Sequence, residues 1–127
     1  MHVISVGGTS FKRYLDLAKL LDTKTAVVRD NDHDYDKNCV NAYADYVNER
    51  IRVFSDKDAA KWTFEICLYK DNRVACDELF QPGRVKLSVE DYMLDNKADA
   101  AFELLDKKEA VLVAPEYIRD AVAWIRE

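Results

Sequence analysis

Proline and glycine are scarce in this chain, two and three among 127 residues, and no Ser-rich or Gln-rich tract accompanies them. That leaves no candidate linker and no low-complexity segment. No apolar run approaches the roughly 18 to 20 residues that a transmembrane helix requires. Residues 1 to 20 carry no cationic stretch followed by an apolar signal core, so a cytoplasmic domain without a membrane partner is expected. Cysteine is limited to Cys39, Cys67 and Cys76, an odd number without CxxC spacing. This argues against a disulfide framework or a zinc site and for buried, reduced thiols. Surplus positive charge is missing too: 24 acidic residues against 19 basic ones give a net charge of -5, without the footprint of a free-standing nucleic-acid binder. If such a chain meets DNA, bound divalent cations must reverse the local field or a partner domain must hold the phosphate backbone.

What is present is enough apolar material, 49% of the residues, for one core of helices on a sheet, and residues 1–127 read as a single domain. Val3-Ile4-Ser5-Val6 is a short β-branched run ending at Gly7-Gly8-Thr9-Ser10, after which Phe11, Tyr14, Leu15, Ala18 and Leu21 recur at helical spacing. Residues 24–29 form a second apolar run that leads into Asp30-Asn31-Asp32-His33-Asp34. Val40, Tyr43, Ala44 and Val47 predict another amphipathic helix, and Ile51 to Phe54 a third strand. Three strands alternating with two helices predict an α/β fold, a parallel sheet with helices on both faces. The second half reads as more helical. Phe64 to Tyr69 fits either a strand or a helix start, Ser88 with Asp91 forms a capping-box pattern, and Ala98, Ala101, Phe102 and Leu105 carry a helical stripe. Pro115 suits a first helical position, and Ile118, Ala121, Val122 and Ile125 make the last helix amphipathic.

In open parallel sheets, ligands bind beyond the carboxyl ends of the strands, where the second run delivers Asp30, Asp32 and Asp34. Alternate residues of an extended segment point the same way, so Asp30 and Asp32 can converge on one hard cation. A solvated acidic loop, or an Asx turn capping the next helix, is the alternative. An EF-hand loop fits less well, since its sixth position would be Tyr35 instead of Gly and its twelfth Asn41 instead of Glu. Glu65 is a lone carboxylate in an apolar run, a site residue or a surface position. Lys97, in the polar break before the Ala98 stripe, taken alone reads as a solvated lysine. The Gly7–Ser10 turn can present N–H groups to a phosphate or serve only as a tight turn. His33 is a further nitrogen ligand or a solvated ring. Tyr43, Tyr46, Trp62 and Trp124 read as core or subunit-contact residues.

Residues 3–12, followed by Val28-Arg29-Asp30-Asn31-Asp32-His33-Asp34, resemble the Toprim region of the OLD (overcoming lysogenization defect) family of ATP-dependent endonucleases. Thr63-Phe64-Glu65 is similar to that family's Leu-Glu element, Asn96-Lys97 to the segment with its catalytic lysine, and Pro115-Glu116-Tyr117-Ile118 to the start of its closing helix. The resemblance implies a metal-dependent nuclease acting on DNA. Asp30, Asp32 and Glu65 would hold two magnesium or manganese ions, with Asp34 as a further ligand, and Lys97 would place positive charge at the phosphate. It also implies an ATPase domain on the same or a partner chain, and it allows a homodimer.

The chain departs from the family pattern at its start. Toprim domains open with a strand ending in a catalytic glutamate, whereas the first acidic residue here is Asp16, inside the first predicted helix. No GxxxxGK[ST] loop is present either. The expectation is therefore a fragment lacking the first Toprim strand and the ATPase domain, weak or inactive as an isolated nuclease. Two other readings use the same residues. One is magnesium-dependent phosphoryl transfer with a strand-end Asp nucleophile, although His33-Asp34 breaks the DxDx[TV] pattern of haloacid-dehalogenase-like domains. The other is a non-catalytic interaction or assembly module with a nuclease-like fold.

Overall fold

The structure, a computed structural model, describes every residue except Thr9, Arg84 and Val85. Thr9 belongs to the turn considered above for phosphate binding and lies outside the described residues. After that turn, α1 spans Phe11–Leu20, β1 Thr25–Val28 and β2 Ile51–Phe54. The helices α2 (Phe64–Asp71), α3 (Arg73–Phe80), α4 (Val89–Asp95), α5 (Lys97–Lys108) and α6 (Glu116–Arg126) complete the chain. None of the described helices is long and apolar enough to cross a membrane.

The fold is α/β, as expected, with β1 and β2 paired in parallel and Val27 opposite Val53. Because side chains alternate along a strand, the sheet presents two faces. Val27 and Ile51 pack with Leu15 and Ala18 of α1 and with Tyr43. On the other face Phe54 meets the ring of Trp124 in α6 at 5.8 Å, and the Arg52 guanidinium lies 5.1 Å from the same ring. Helices thus cover both faces; of the four aromatics expected as core or subunit-contact residues, Tyr43 and Trp124 are buried and Tyr46 and Trp62 half-buried.

Three expectations need correction. Val3 to Val6 is not a strand: Val3 and Ile4 are 85% and 69% exposed, and the described sheet has two strands, not three. A strand is held by its ladder, and without a neighbour a four-residue run with three β-branched side chains has nothing to fix it. The helix expected over Val40 to Val47 is instead a π-helical turn, Asp36–Val40, running into a 3-10 turn, Asn41–Tyr43. Only Cys39 and Tyr43 are buried along this segment while Val40 and Val47 face solvent, so the apolar spacing never meets the sheet in α-helical register. In α5 the buried face is Ala100 and Leu104, whereas Phe102 and Leu105 of the expected stripe are 69% and 60% exposed. Leu105 instead lines an open apolar groove with Phe64, Leu68, Leu112 and Ile118.

The ambiguous run after Trp62 is helical, forming α2. Ser88 caps α4, accepting the Asp91 amide at 3.1 Å, the N-terminal half of the expected capping box. Pro115 stands one position earlier than expected, just before α6, where its missing N–H leaves no orphan donor. A second core fills the helical half: Leu68, Cys76, Phe80, Val89, Met93, Ala100 and Leu104 form one buried cluster. Asn72, buried at the junction of α2 and α3, ties this core to the segment before α6. Its Nδ2 donates to the carbonyls of Leu68 and Val113, and its Oδ1 accepts the Val113 amide at 2.6 Å. The three cysteines are free and buried, as expected.

Candidate metal centre

β1 ends at Val28, but the Arg29 amide still donates to the Phe54 carbonyl at 3.2 Å. The ladder therefore delivers Asp30 to the carboxyl edge of the sheet. There Asp30 Oδ1 accepts the amide of Phe64 at 2.9 Å. Phe64 opens α2, and the residue before it, Thr63, makes no side-chain cap. A carboxylate 34 residues away in sequence thus satisfies an otherwise orphan donor at a helix start.

This contact brings the next residue, Glu65, alongside. Its side chain is only 14% exposed, the Thr63 hydroxyl donates to its Oε2, and Lys97 Nζ stands 3.5 Å from the same oxygen. Lys97 is the first residue of α5, so three elements, β1, α2 and α5, contribute to one place. Burial pushes the Asp30 carboxyl above its ordinary range, and the negative charges of Glu65 and Asp32 add to that push. The Phe64 amide and Lys97 oppose it. Below this centre Tyr117 is buried, and burial with nearby negative charge, Asp30 and Glu65 included, holds its phenol protonated.

The rest of the acidic run is arranged differently. Asp32 Oδ2 pairs with Arg29 Nη2 at 2.8 Å. Asp34 Oδ1 accepts the Lys37 amide at 3.1 Å, the Asx-type turn that was the alternative reading for this segment. His33 stacks on Trp62 with ring centroids 4.6 Å apart. Asp32 and His33 both have positive φ, 51° and 72°, a conformation that costs an L residue roughly 1 kcal/mol or more.

Two residues that residue-type reasoning passed over organise the run. Arg29, its side chain 9% exposed, donates to the Asp30 carbonyl, the Tyr43 hydroxyl and the Asp32 carboxylate. Asn31 is 1% exposed. Its Nδ2 reaches the carbonyls of Asp56, Asp58 and Lys61, and its Oδ1 accepts the His33 amide at 2.9 Å. The one available signal was an Asn before two residues of loop character, an Asx-turn pattern. The carbonyl partners, 25 to 30 residues away, left none.

Carboxylate oxygens are the donors that magnesium and manganese take, and a cation would relieve the repulsion Asp30 meets from Glu65 and Asp32. Among the described residues, however, no three His, Cys, Asp or Glu side chains stand grouped closely enough to hold a metal ion. Asp32 is drawn to Arg29 and Asp34 to the Lys37 amide. Asp30 and Glu65 are the pair of carboxylates that the arrangement brings near each other, and Asp32 would have to leave Arg29 to join them.

Residues 1–32 match a family model described as overcoming lysogenization defect protein-like, TOPRIM domain. The matched segment covers the first glycine turn, α1, β1 and the start of the acidic run, including Asp30 and Asp32. It supports a Toprim-type domain, a metal-binding module of the nuclease or primase kind. No curated protein and no solved structure matches the chain.

Proposed function

We propose that this chain is the metal-binding catalytic module of a Toprim-type DNA endonuclease of the OLD kind, working with magnesium or manganese. The observation that carries the reading is the convergence of Asp30, Glu65 and Lys97 at the carboxyl end of β1. The segment matched by the family model supports it from an independent side. Asp30 and Glu65 are the principal ligands, Asp32 a further one once released from Arg29, and Asp34 acts at most through water, since its carboxylate caps the Lys37 amide. A divalent cation held there supplies Lewis acidity toward a phosphodiester oxygen and a lowered pKa for an attacking water.

The chain's own residues do the remaining work. Asp30, just past the end of β1, and Glu65, in the first turn of α2, are half-buried and held in place by the Phe64 amide and the Thr63 hydroxyl. Lys97, 56% exposed at its side chain, has room to turn from Glu65 toward a phosphate and stabilise charge on the leaving oxygen. The net charge of -5 gives no general attraction for DNA, so an ATPase domain on the same or a partner chain holds the duplex, and the chain alone cleaves weakly or not at all.

Calorimetry with manganese tests the reading. Binding should be weakened at least about tenfold by Asp30→Ala and by Glu65→Ala, a loss of about 1.4 kcal/mol, and less by Asp32→Ala. Indifference to all three substitutions would sink the assignment. Robust cleavage of DNA by the isolated chain, abolished by Asp32→Ala, would falsify the claim that it needs a partner.

A second reading, as an interaction or assembly module, draws on a different observation. Leu17, Leu20 and Leu21 of the α1 region are 53%, 83% and 66% exposed, next in sequence to the unpaired Val3 to Val6 run. A stable homodimer in solution together with no manganese binding would favour this second reading over the first.

A further inference from the structure

We propose that Asn31 is the positioning residue of the carboxylate centre, the side chain that sets where Asp30 meets the start of α2. The proposal rests on the reading of that centre as a cation site, but its geometry stands independently. Asn31 sits between Asp30 and Asp32 with its amide fully enclosed. Its Nδ2 is shared among three carbonyls of the segment joining β2 to α2: Asp56 and Asp58 at 2.9 Å, and Lys61 at 3.2 Å. That segment has no helix or strand of its own, so its path rests on these bonds together with its internal Asp56 and Asp58 turns and the Cys67 thiol donating to the Lys61 carbonyl at 3.5 Å.

Lys61 is followed by Trp62 and Thr63, and then by Phe64, whose amide meets Asp30 Oδ1. Holding the Lys61 carbonyl therefore sets the point at which α2 begins, and with it the approach of both the Phe64 amide and Glu65 to Asp30. The main chain adds one parallel tie, the Asp32 amide to the Trp62 carbonyl at 3.2 Å. On its other side Asn31 Oδ1 accepts the His33 amide, which stabilises the left-handed pair Asp32 and His33. One side chain thus locks two strand-end loops together and fixes the turn between the two aspartates. Its side chain is 1% exposed and bonded on both ends within the protein, so its action on a cation passes through Asp30.

The experiment compares the full chain with Asn31→Ala, Asn31→Ser and Asn38→Ala. Serine keeps a small neutral acceptor for the turn but cannot reach the distant carbonyls. Asn38 also bonds the acidic run, through the Asn31 carbonyl, yet does not span to the second loop. The first readout is hydrogen exchange at the Phe64 amide, which needs no metal. Both Asn31 variants should speed it about tenfold or more, the equivalent of about one hydrogen bond. The Thr25 amide, bonded to Arg50, and the Cys76 amide, bonded to Asn72, should keep their protection, and Asn38→Ala should leave Phe64 unchanged. The second readout is manganese affinity by calorimetry, which should fall about tenfold in both Asn31 variants. Unchanged Phe64 exchange in a folded Asn31→Ser chain overturns the proposal. Equal loss of protection at Thr25, Phe64 and Cys76 overturns it too, because Asn31 then only holds the fold. If the unsubstituted chain binds no manganese while Phe64 still responds, the positioning role stands and the cation reading fails.

Discussion

The sheet half and the helical half of this molecule are held together by different physics. Around β1 and β2 the buried cluster is small, Leu15, Ala18, Val27, Tyr43 and Ile51, and α1 leaves Leu17 and Leu20 in solvent. Order there comes from polar ties: Arg29 bonding three groups, Asn31 four, and Asn48 accepting the amides of Arg50 and Ile51. The helical half has a larger apolar centre, with Cys76 and Leu104 at 0% exposure, and one buried asparagine, Asn72, in a comparable stapling role. A region that must present charged groups at a defined place cannot bury them in an apolar core. It fixes them through hydrogen bonds, which give direction but modest net stability.

The largest expected effect tests whether the two halves are separable. Leu104→Ala, at a site with no exposed surface, should cost about 3 kcal/mol of unfolding free energy from lost burial and the cavity left behind. A urea titration measures this. In conditions where the variant is still folded, its manganese affinity should match the parent. An affinity that falls with stability would show that the centre depends on the helical core, and the contrast between the halves would dissolve.

Next comes the asparagine staple of the helical half. Asn72→Ala leaves the Val113 amide and carbonyl without their partner, and should cost about 2 kcal/mol, the range for stranded buried polar groups. The urea midpoint should drop while exchange at Phe64 is unaffected. That pattern would mirror the one expected for Asn31, in which local exchange and cation affinity change more than global stability.

How far each half could be read in advance follows the same division. α1, β1, β2, the Ser88 cap and the amphipathic α6 were legible, because local periodicity and capping chemistry decide them. The Val3 to Val6 run misled because strand propensity reports a fit to a pleated surface, and here no neighbouring strand supplies one. The Ala98 stripe misled because α5 rotates a different face, Ala100 and Leu104, toward α3 and α4, a choice made by tertiary packing. At the centre, Asp30 was legible from its chemistry and its place at a strand end, whereas Glu65, alone as easily a surface position, and Lys97, alone a solvated lysine, were singled out by the family resemblance. Asn31 was not legible, since its meaning lies in carbonyls of a loop folded back from beyond β2, and carbonyls carry no residue-type signature.

A smaller effect concerns pH. Burial, with Glu65 and Asp32 nearby, raises the Asp30 carboxyl in the folded chain above its ordinary value of 3.8, while Lys97 and the Phe64 amide pull the other way. A raised acid binds its proton more tightly when folded. Its stabilising contribution is therefore complete below the ordinary carboxylate value and lost as pH rises through the folded value. Unfolding free energy from this group should decline across that window. Asp30→Asn should flatten the decline, and added manganese should restore stability above it by mass action. An Asp30→Asn chain with an unchanged slope would remove Asp30 as the source.

The smallest effect, on rate alone, uses the three thiols as reporters of which half opens first. Burial raises all of them: Cys76 to about 11, Cys67 to about 12, and Cys39 upward as well. At pH 8 the folded chain therefore holds almost no thiolate, and alkylation by iodoacetamide must wait for local opening. Cys39 lies in the π-helical turn of the sheet half, its thiol resting against the Asp30 carbonyl at 3.8 Å. Cys76 lies at the centre of the helical cluster, and Cys67 in α2 on the boundary. If polar ties yield before apolar packing, mass spectrometry should find Cys39 alkylated first, Cys67 next and Cys76 last, with the order erased in urea. Manganese should slow Cys39 more than Cys76, because a cation on Asp30 stiffens the loop that the Cys39 thiol touches. Equal rates at Cys39 and Cys76 would mean that the sheet and the helical core open as one unit, and that the polar ties around Asn31 are as strong as the interior they face.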